Sequence, residues 1–358
     1  MKFLIYIVVA ILLVGCATTD SDAVEVAFVP SETEDEEGEP EEDILGIPEG
    51  MGINRLTGMM MPEENVSRRP VAIVINNLRQ ALPQSGIGQA DILYEVLAEG
   101  NITRLVGIFL DFEASRIGPV RSARSYFIDF ARNHDAIFIH HGASPSAYTE
   151  LRSTGTDRLD GMFDAQPFWR DQERVRRGLY EHSSYTSYER IWEGVASRNI
   201  RDTSYVPPNF MFFPMRISPR DSEPAAELEI RFSNNYVSRF SFDHESGLYL
   251  MSSSHGDVID EYSEEQLSFT NVIVQLTSIS HIPGDAEGRR NVTTVGTGTG
   301  YLFTNGSVSP ISWSRQNTNT PTIWLNAQGL PLALNVGRTY IAVHNIPPTI
   351  LDEPNYYE

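Results

Sequence analysis

Residues 71–75 read Val-Ala-Ile-Val-Ile, an unbroken apolar run held between Arg69-Pro70 and Asn76-Asn77. Such a short run predicts a buried strand. Reading outward, Ile92 to Leu97 and Leu105 to Leu110 are two more strand candidates, and Gly100-Asn101 between them marks a hairpin turn. Arg121 to His134 carries helical spacing, with Tyr126, Phe127, Phe130 and Ala131 on one side. Ala136-Ile-Phe-Ile139 repeats the buried-strand pattern. Ser144-Pro145 then predicts a helix start, with Ser as N-cap and Pro at the first helical position. A further helix is expected over Thr186 to Ala196. Strands mixed with helices predict an α/β or α+β N-terminal domain over residues 46–205.

The pattern changes after residues 201–224, which are rich in Pro and polar side chains: Pro207, Pro208, Pro214, Pro219 and Pro224. A domain boundary is expected there. Beyond it come short strand candidates separated by turns: Leu228 to Phe232, Val237 to Phe242, Leu248 to Met251, Val272 to Leu276, Tyr301 to Phe303, Val308 to Trp313, Thr322 to Leu325 and Thr339 to Val343. Asn305-Gly306 is a hairpin signal and Ala327-Gln328-Gly329 another turn. Residues 206–358 are therefore expected to form a mainly antiparallel β C-terminal domain.

Hydrophobic residues make up 41% and charged residues 21% of the 358, enough for a buried core. The formal charge is −21, unevenly spread. Residues 20–43 hold twelve acids and no base, leaving 36 acids against 26 bases, all Arg, in residues 44–358. No nucleic-acid partner is expected of a body with that excess, because phosphate neutralisation needs a basic face. Ahead of the acidic run, Met1-Lys2 is a short positive start and Phe3 to Val14 an apolar stretch of signal-peptide length. It ends at Leu13-Val14-Gly15-Cys16, which resembles a bacterial lipobox. That resemblance implies cleavage of residues 1–15 and lipidation of Cys16. Cys16 is the sole cysteine, so no disulfide partner exists. Residues 16–45 read as the lipidated Cys and an acidic, disordered tether, because the run repels itself and has little apolar surface to bury. A flexible chain of this length spans on the order of 30 Å. It lacks the ligand spacing of a calcium loop.

Arg69-Pro-Val-Ala-Ile-Val-Ile-Asn-Asn77, Pro83-Gln-Ser-Gly86, Ala90-Asp-Ile-Leu-Tyr-Glu95 and Glu99-Gly-Asn-Ile-Thr-Arg104 follow one another in order. Gly118-Pro-Val-Arg-Ser-Ala-Arg124, His140-His-Gly-Ala-Ser-Pro145 and Leu159-Asp-Gly161 come next. Asn271-Val-Ile-Val274, Gly296-Thr-Gly-Thr-Gly300, Ile311-Ser-Trp313 and Leu334-Asn-Val-Gly-Arg-Thr-Tyr340 continue the series. This order and spacing resemble the YerB-like bacterial lipoproteins, a two-part family of unknown function, over about residues 55–345. The resemblance implies a surface-anchored envelope protein and brings no established reaction.

The strongest local candidate for chemistry is Gly118-Pro-Val-Arg-Ser-Ala-Arg124. Gly-Pro reads as a helix start and Ser122 as its N-cap. The free N–H groups of that terminus, with Arg121 and Arg124 beside them, would favour a bound phosphate or carboxylate. Against this stands an internal ion pair, with Glu95 or Glu99 filling the same role. His140 and His141 follow a strand, where ligands gather in open α/β sheets. Adjacent strand residues face opposite ways, so only one of them can share a pocket with the arginines, and either can equally be a structural histidine. His182, in a polar segment before a helix, is a further candidate for that pocket. No His-Glu-x-x-His is present and no Cys remains in the body, so no metal or cofactor is expected. Ser144 reads as an N-cap rather than a nucleophile, since no Gly-x-Ser-x-Gly elbow occurs. Gly296-Thr-Gly-Thr-Gly300 lacks dinucleotide-loop spacing and reads as a bulge or close packing. Tyr301, Trp313, Trp324 and Tyr340 read as packing before they read as a carbohydrate platform.

Two functions remain beside the blander reading of a structural spacer without a ligand pocket. The first is a lipid-anchored, extracytoplasmic binding or adaptor protein for an anionic envelope ligand, a cell-wall polymer or a cell-wall enzyme. Arg104, Arg121 and Arg124 would supply charge, with His140, His141, His182, Glu95 and Tyr126 around them. The alternative is a hydrolase acting on an envelope phosphodiester or glycan, with a His as acid or base and Glu95 assisting.

Overall fold

A computed structural model of the chain describes residues 47–351, except residues 205, 208, 209 and 215. The signal segment, Cys16 and the acidic run lie outside the described residues. In the N-terminal segment the strands of the main sheet are β1 (Val71–Asn76), β2 (Ile92–Glu99), β3 (Ile102–Phe109), β4 (Ile137–His140) and β5 (Arg158–Asp160). The helices that matter to the site are α1 (Ser125–Asn133), α2 (Pro145–Thr154) and α3 (Tyr188–Ser197). The C-terminal segment contributes β6 (Glu227–Ser233), β7 (Tyr236–Asp243), β8 (Leu248–Ser253), β9 (Asn271–Leu276), β10 (Gly296–Thr304), β11 (Ser307–Arg315) and β12 (Thr339–His344).

One eleven-stranded sheet takes strands from both segments. Its order is β11-β10-β9-β12-β2-β3-β1-β4-β5, with Glu223–Pro224 and Ile323–Asn326 both paired to β11. The junction is the parallel pair β12·β2, with Thr339 opposite Ile92 and Val343 opposite Val96. β6, β7 and β8 belong to a second, six-stranded sheet whose pairings are antiparallel. The N-terminal segment thus mixes helices and strands, and the C-terminal segment is mainly antiparallel.

Burial of β1 on both faces explains its unbroken apolar run. Every residue of β1 is buried. Val71, Ile73 and Ile75 enter one core cluster, with Leu228, Phe240 and Met251 of the second sheet and Ile191 and Val195 of α3. Ala72 and Val74 enter the other, with Phe127, Phe130 and Ala131 of α1 and Ala147 and Leu151 of α2. Trp313, Trp324 and Tyr340 are buried in these clusters, and Tyr301 packs against one of them, so all four aromatics serve packing. Gly298 earns its place by close approach: a Cβ there would sit 2.5 Å from Trp313 Nε1 and 2.7 Å from the Leu276 carbonyl oxygen.

The helical spacing over Arg121–His134 becomes helix only from Ser125. Residues 118–123 run extended instead, because their backbone is claimed by neighbours. Val120 N–H donates to Ser184 O (2.7 Å), Arg121 N–H to Val74 O (2.9 Å) and Ala123 N–H to Gly142 O (2.9 Å). The N-cap position therefore falls on Arg124, whose side chain makes no capping bond, and Ser122 Oγ donates to the His141 carbonyl (3.2 Å). At α2 the sequence signal holds: Ser144 caps the helix by accepting from Ala147 N–H (3.2 Å), with Pro145 following.

Candidate functional site

In a helix, Arg121 and Arg124 would have stood three residues apart on one face. In the extended segment they turn to opposite sides, and each finds its own carboxylate. Arg124 Nη2 lies 2.5 Å from Glu99 Oε2, and Arg104 Nη2 lies 2.5 Å from Glu99 Oε1. Glu99, at the end of β2, thus grips two guanidinium groups. Burial pushes its carboxyl up, but Arg104 and Arg124 outweigh this and hold it below the usual range. Burial, with repulsion from Arg124 and Arg121, lowers Arg104 to about 10 despite Glu99. Arg104 Nη1 also donates to Asn76 Oδ1 (3.1 Å), which fixes the Asn76 amide so that its nitrogen donates to His182 Nδ1 (2.8 Å). Burial and then Arg121 keep the His182 pKa below its usual value.

Arg121 turns outward. It pairs with Glu181 (2.6 Å), whose side chain is 71% exposed. Beside it lies a cavity of about 330 Å³, lined by Arg121, Ser122, His141, Tyr148, Arg170 and Tyr180 among others. Glu181 is its one lining carboxylate. Arg170 donates to the Tyr180 carbonyl (2.8 Å), lies over the Tyr180 ring at 4.2 Å and donates to His141 Nε2 (2.9 Å). Among the described residues no carboxylate lies within ion-pair distance of Arg170. A guanidinium can only donate, so His141 Nε2 is an acceptor and Nδ1 carries the proton, given to Ser184 Oγ (2.8 Å). Burial first, and Arg170 next, push the His141 pKa down to about 4. The ring is therefore neutral near pH 7.

The remaining sequence candidates lie apart from this cavity. His140 is fully buried; its Nδ1 bonds the Gly142 carbonyl (2.8 Å) and lies 3.7 Å from Asp160. Tyr126 is buried and donates to the Leu97 carbonyl (2.7 Å). Glu95 does not meet the arginines. It pairs in register with Leu105, whereas Arg104 pairs with Val96, so Glu95 and Arg104 occupy opposite faces of the sheet. Its carboxyl is buried among neutral donors: Thr103 Oγ1 (2.6 Å), Asn77 Nδ2 (2.9 Å), Ser238 Oγ (2.8 Å) and the Tyr340 hydroxyl. Burial raises its pKa. Arg170 and Ser184 escaped the sequence reading because a paired two-stranded ribbon, Trp169–Arg170 with Ser184–Tyr185, brings them to His141 from far along the chain, while Tyr148 arrives on α2.

A cavity of about 720 Å³ lies elsewhere, between residues such as Asn54, Asp91, Glu113 and Arg338. Asp91 is committed there to Asn54 Nδ2 (2.7 Å) and the Leu110 N–H (2.6 Å). Among the described residues no group of three or more His, Cys, Asp or Glu could hold a metal ion. No helix among them is long and apolar enough to cross a membrane.

Comparisons with known proteins fit this architecture. Residues 56–201 match the model described as "Protein of unknown function (DUF3048) N-terminal domain", and residues 228–341 match the corresponding C-terminal domain. The gap between them takes in most of the Pro-rich stretch. The Bacillus subtilis protein named "Putative lipoprotein YerB" is 32% identical over 305 residues, covering 82% of this chain and 86% of that protein. The crystal structure of YerB from Bacillus subtilis superposes with a TM-score of 0.74 at 31% identity, covering 84% of this chain and 99% of that one. With both halves matched, the chain belongs to the DUF3048 family of two-domain proteins.

Proposed function

We propose that this chain is a lipid-anchored extracytoplasmic envelope protein that binds an anionic group of an envelope ligand or partner in the Arg121–His141–Arg170 cavity. Leu13-Val14-Gly15-Cys16 and the lipoprotein name of the B. subtilis relative support the anchor. Two or more acyl chains on Cys16 would hold it stably at the membrane. The observation that carries the binding reading is Arg170: a guanidinium with no carboxylate partner among the described residues, sharing a cavity with Arg121. Two arginines share the cavity with one carboxylate, Glu181, and the excess positive charge favours an incoming phosphate or carboxylate, which a guanidinium can grip with two parallel bonds. Arg104 and Arg124 are already committed to Glu99 and serve as scaffold beside it.

The arrangement favours binding over hydrolysis. A general base needs a free lone pair near the reacting atom, and His141 Nε2 spends its own on Arg170. Glu95 does not line the cavity, and its carboxylate is taken up by Thr103, Asn77, Ser238 and Tyr340. Inorganic phosphate should raise the melting temperature of the protein by linkage. Because such salts also stabilise proteins nonspecifically, the control is the Arg121→Ala/Arg170→Ala variant. An equal rise in that variant would remove this cavity as the binding site.

A further inference from the structure

The turn after β5 puts two apolar side chains into solvent beside the Arg121–Arg170 cavity. Met162 lines that cavity and is 61% exposed. Phe163 is 75% exposed and packs edge-to-face on Tyr148, itself a lining residue, with ring centroids 6.1 Å apart. Tyr180, also in the lining, is 58% exposed. Exposed apolar side chains scattered singly are ordinary, but several gathered at one cavity mark a contact site.

Their exposure is built into the turn. The Asp160 carbonyl accepts from Phe163 N–H (2.8 Å) and Asp164 N–H (2.7 Å), and Asp160 Oδ1 accepts from Met162 N–H (3.0 Å) and Gly142 N–H (2.9 Å). Asp164 Oδ2 accepts in turn from Asp160 N–H (2.8 Å), and both Asp164 oxygens hold Arg198 (2.8 Å each). Gly161 lets the turn pack onto the site itself, since a Cβ there would sit 2.7 Å from His141 Cε1 and 2.8 Å from its Cγ. Met162 and Phe163 therefore project from a turn whose backbone is tied down. The cavity also offers an open acceptor. Glu181 Oε2 is on Arg121, while Oε1 accepts no bond among the described residues. A bare anion meets only repulsion from it, whereas a ligand with hydroxyls beside its anionic group can donate to it.

We infer that the ligand of this cavity is a sugar carrying a phosphate or carboxylate, an inference that rests on the anion-binding reading above and names the ligand's class. The anionic group engages Arg170 and Arg121. A ring hydroxyl donates to Glu181 Oε1, and the C–H face of the pyranose lies on Met162 and Phe163. An anionic pyranose unites the three features that the site asks for: an apolar face, a hydroxyl edge and a negative substituent. An alkyl phosphate lacks the hydroxyls, and inorganic phosphate lacks the apolar face. The cavity volume, about 330 Å³, lies at the small end of the range for ligand pockets and suits a single sugar unit.

Three phosphates test this in the full chain: inorganic phosphate, butyl phosphate and glucose 1-phosphate, each titrated at pH 7.5 while NMR follows the His141 ring signals. Glucose 1-phosphate should bind about ten-fold more tightly than inorganic phosphate, through burial of a small apolar face, and more tightly than butyl phosphate. In Met162→Ala/Phe163→Ala, glucose 1-phosphate and inorganic phosphate should bind alike. Both side chains are exposed, so the melting temperature of that variant should hold. Inorganic phosphate and glucose 1-phosphate binding with equal affinity to the unaltered protein would overturn the sugar while leaving the anion site in place. Butyl phosphate binding as tightly as glucose 1-phosphate would assign the apolar pair to a lipid chain and overturn it too. A sugar preference that survives in the double variant would remove Met162 and Phe163 from the site. His141 signals indifferent to all three phosphates would overturn the anion-binding reading and this inference with it.

Discussion

Two arginines three residues apart are predicted to behave differently when their partners are removed. Glu99 is the carboxylate shared by Arg104 and Arg124, whose side chains are 2% and 11% exposed. Glu99→Gln leaves two buried cations facing each other and should cost about 3–5 kcal/mol of stability. Arg121 pairs with the exposed carboxylate of Glu181, so Glu181→Gln should cost at most about 1 kcal/mol. Urea denaturation of both variants checks this, and equal losses would contradict it. His141 gives a second residue-scale test. As a base whose folded pKa is depressed to about 4, it contributes stability that is complete above the unfolded value near 6.5. That contribution is lost as pH falls through about 4. The ring signals of His141 in NMR should therefore stay constant from pH 7.5 to 5, and a midpoint near 6.5 would contradict the Arg170 contact. The sequence showed Arg121 and His141 as candidates, but not Arg170, since nothing local to Trp169-Arg170 distinguishes it from any exposed arginine.

At the scale of elements, apolar runs and turn residues were legible because their causes are local. Val71–Ile75 is a strand because both faces of the sheet are covered, and Asn305-Gly306 makes its hairpin with positive φ at both residues (50° and 69°). The start of α1 was misplaced because its cause is not local. The backbone of residues 118–123 is held extended by Val74, Gly142 and Ser184, and no spacing within Arg121–His134 records those partners. The run Gly296–Gly300 shows a close approach that composition only hinted at. Gly298→Ala should destabilise the protein by about 1–3 kcal/mol, because Trp313 is pinned by its Nε1 bond to the Leu276 carbonyl (3.0 Å). Thermal denaturation measures this, and an unchanged melting temperature would mean that Trp313 gives way freely.

For the whole molecule, the sequence separated a mixed segment from a β-rich one but did not show that they share a sheet. The parallel pair β12·β2 sets Thr339 opposite Ile92, 247 residues earlier in the chain. Such long-range pairing has no local signature, since a parallel neighbour leaves no turn between the strands. The shared sheet places the Arg121–Arg170 cavity on a rigid support. In the proposed reading, the acidic run and Cys16 tie that support to a membrane. Cys16→Ser should therefore move the protein from the membrane fraction to the soluble one, and unchanged retention would contradict the anchor. The most direct test of the central claim follows His141 by NMR while inorganic sulfate, whose charge is constant across the pH range, is added. The account predicts a saturable shift of the His141 signals and a rise in its pKa as the anion engages Arg170, both lost in Arg121→Ala/Arg170→Ala. His141 signals indifferent to sulfate, or an identical response in the double variant, would contradict it.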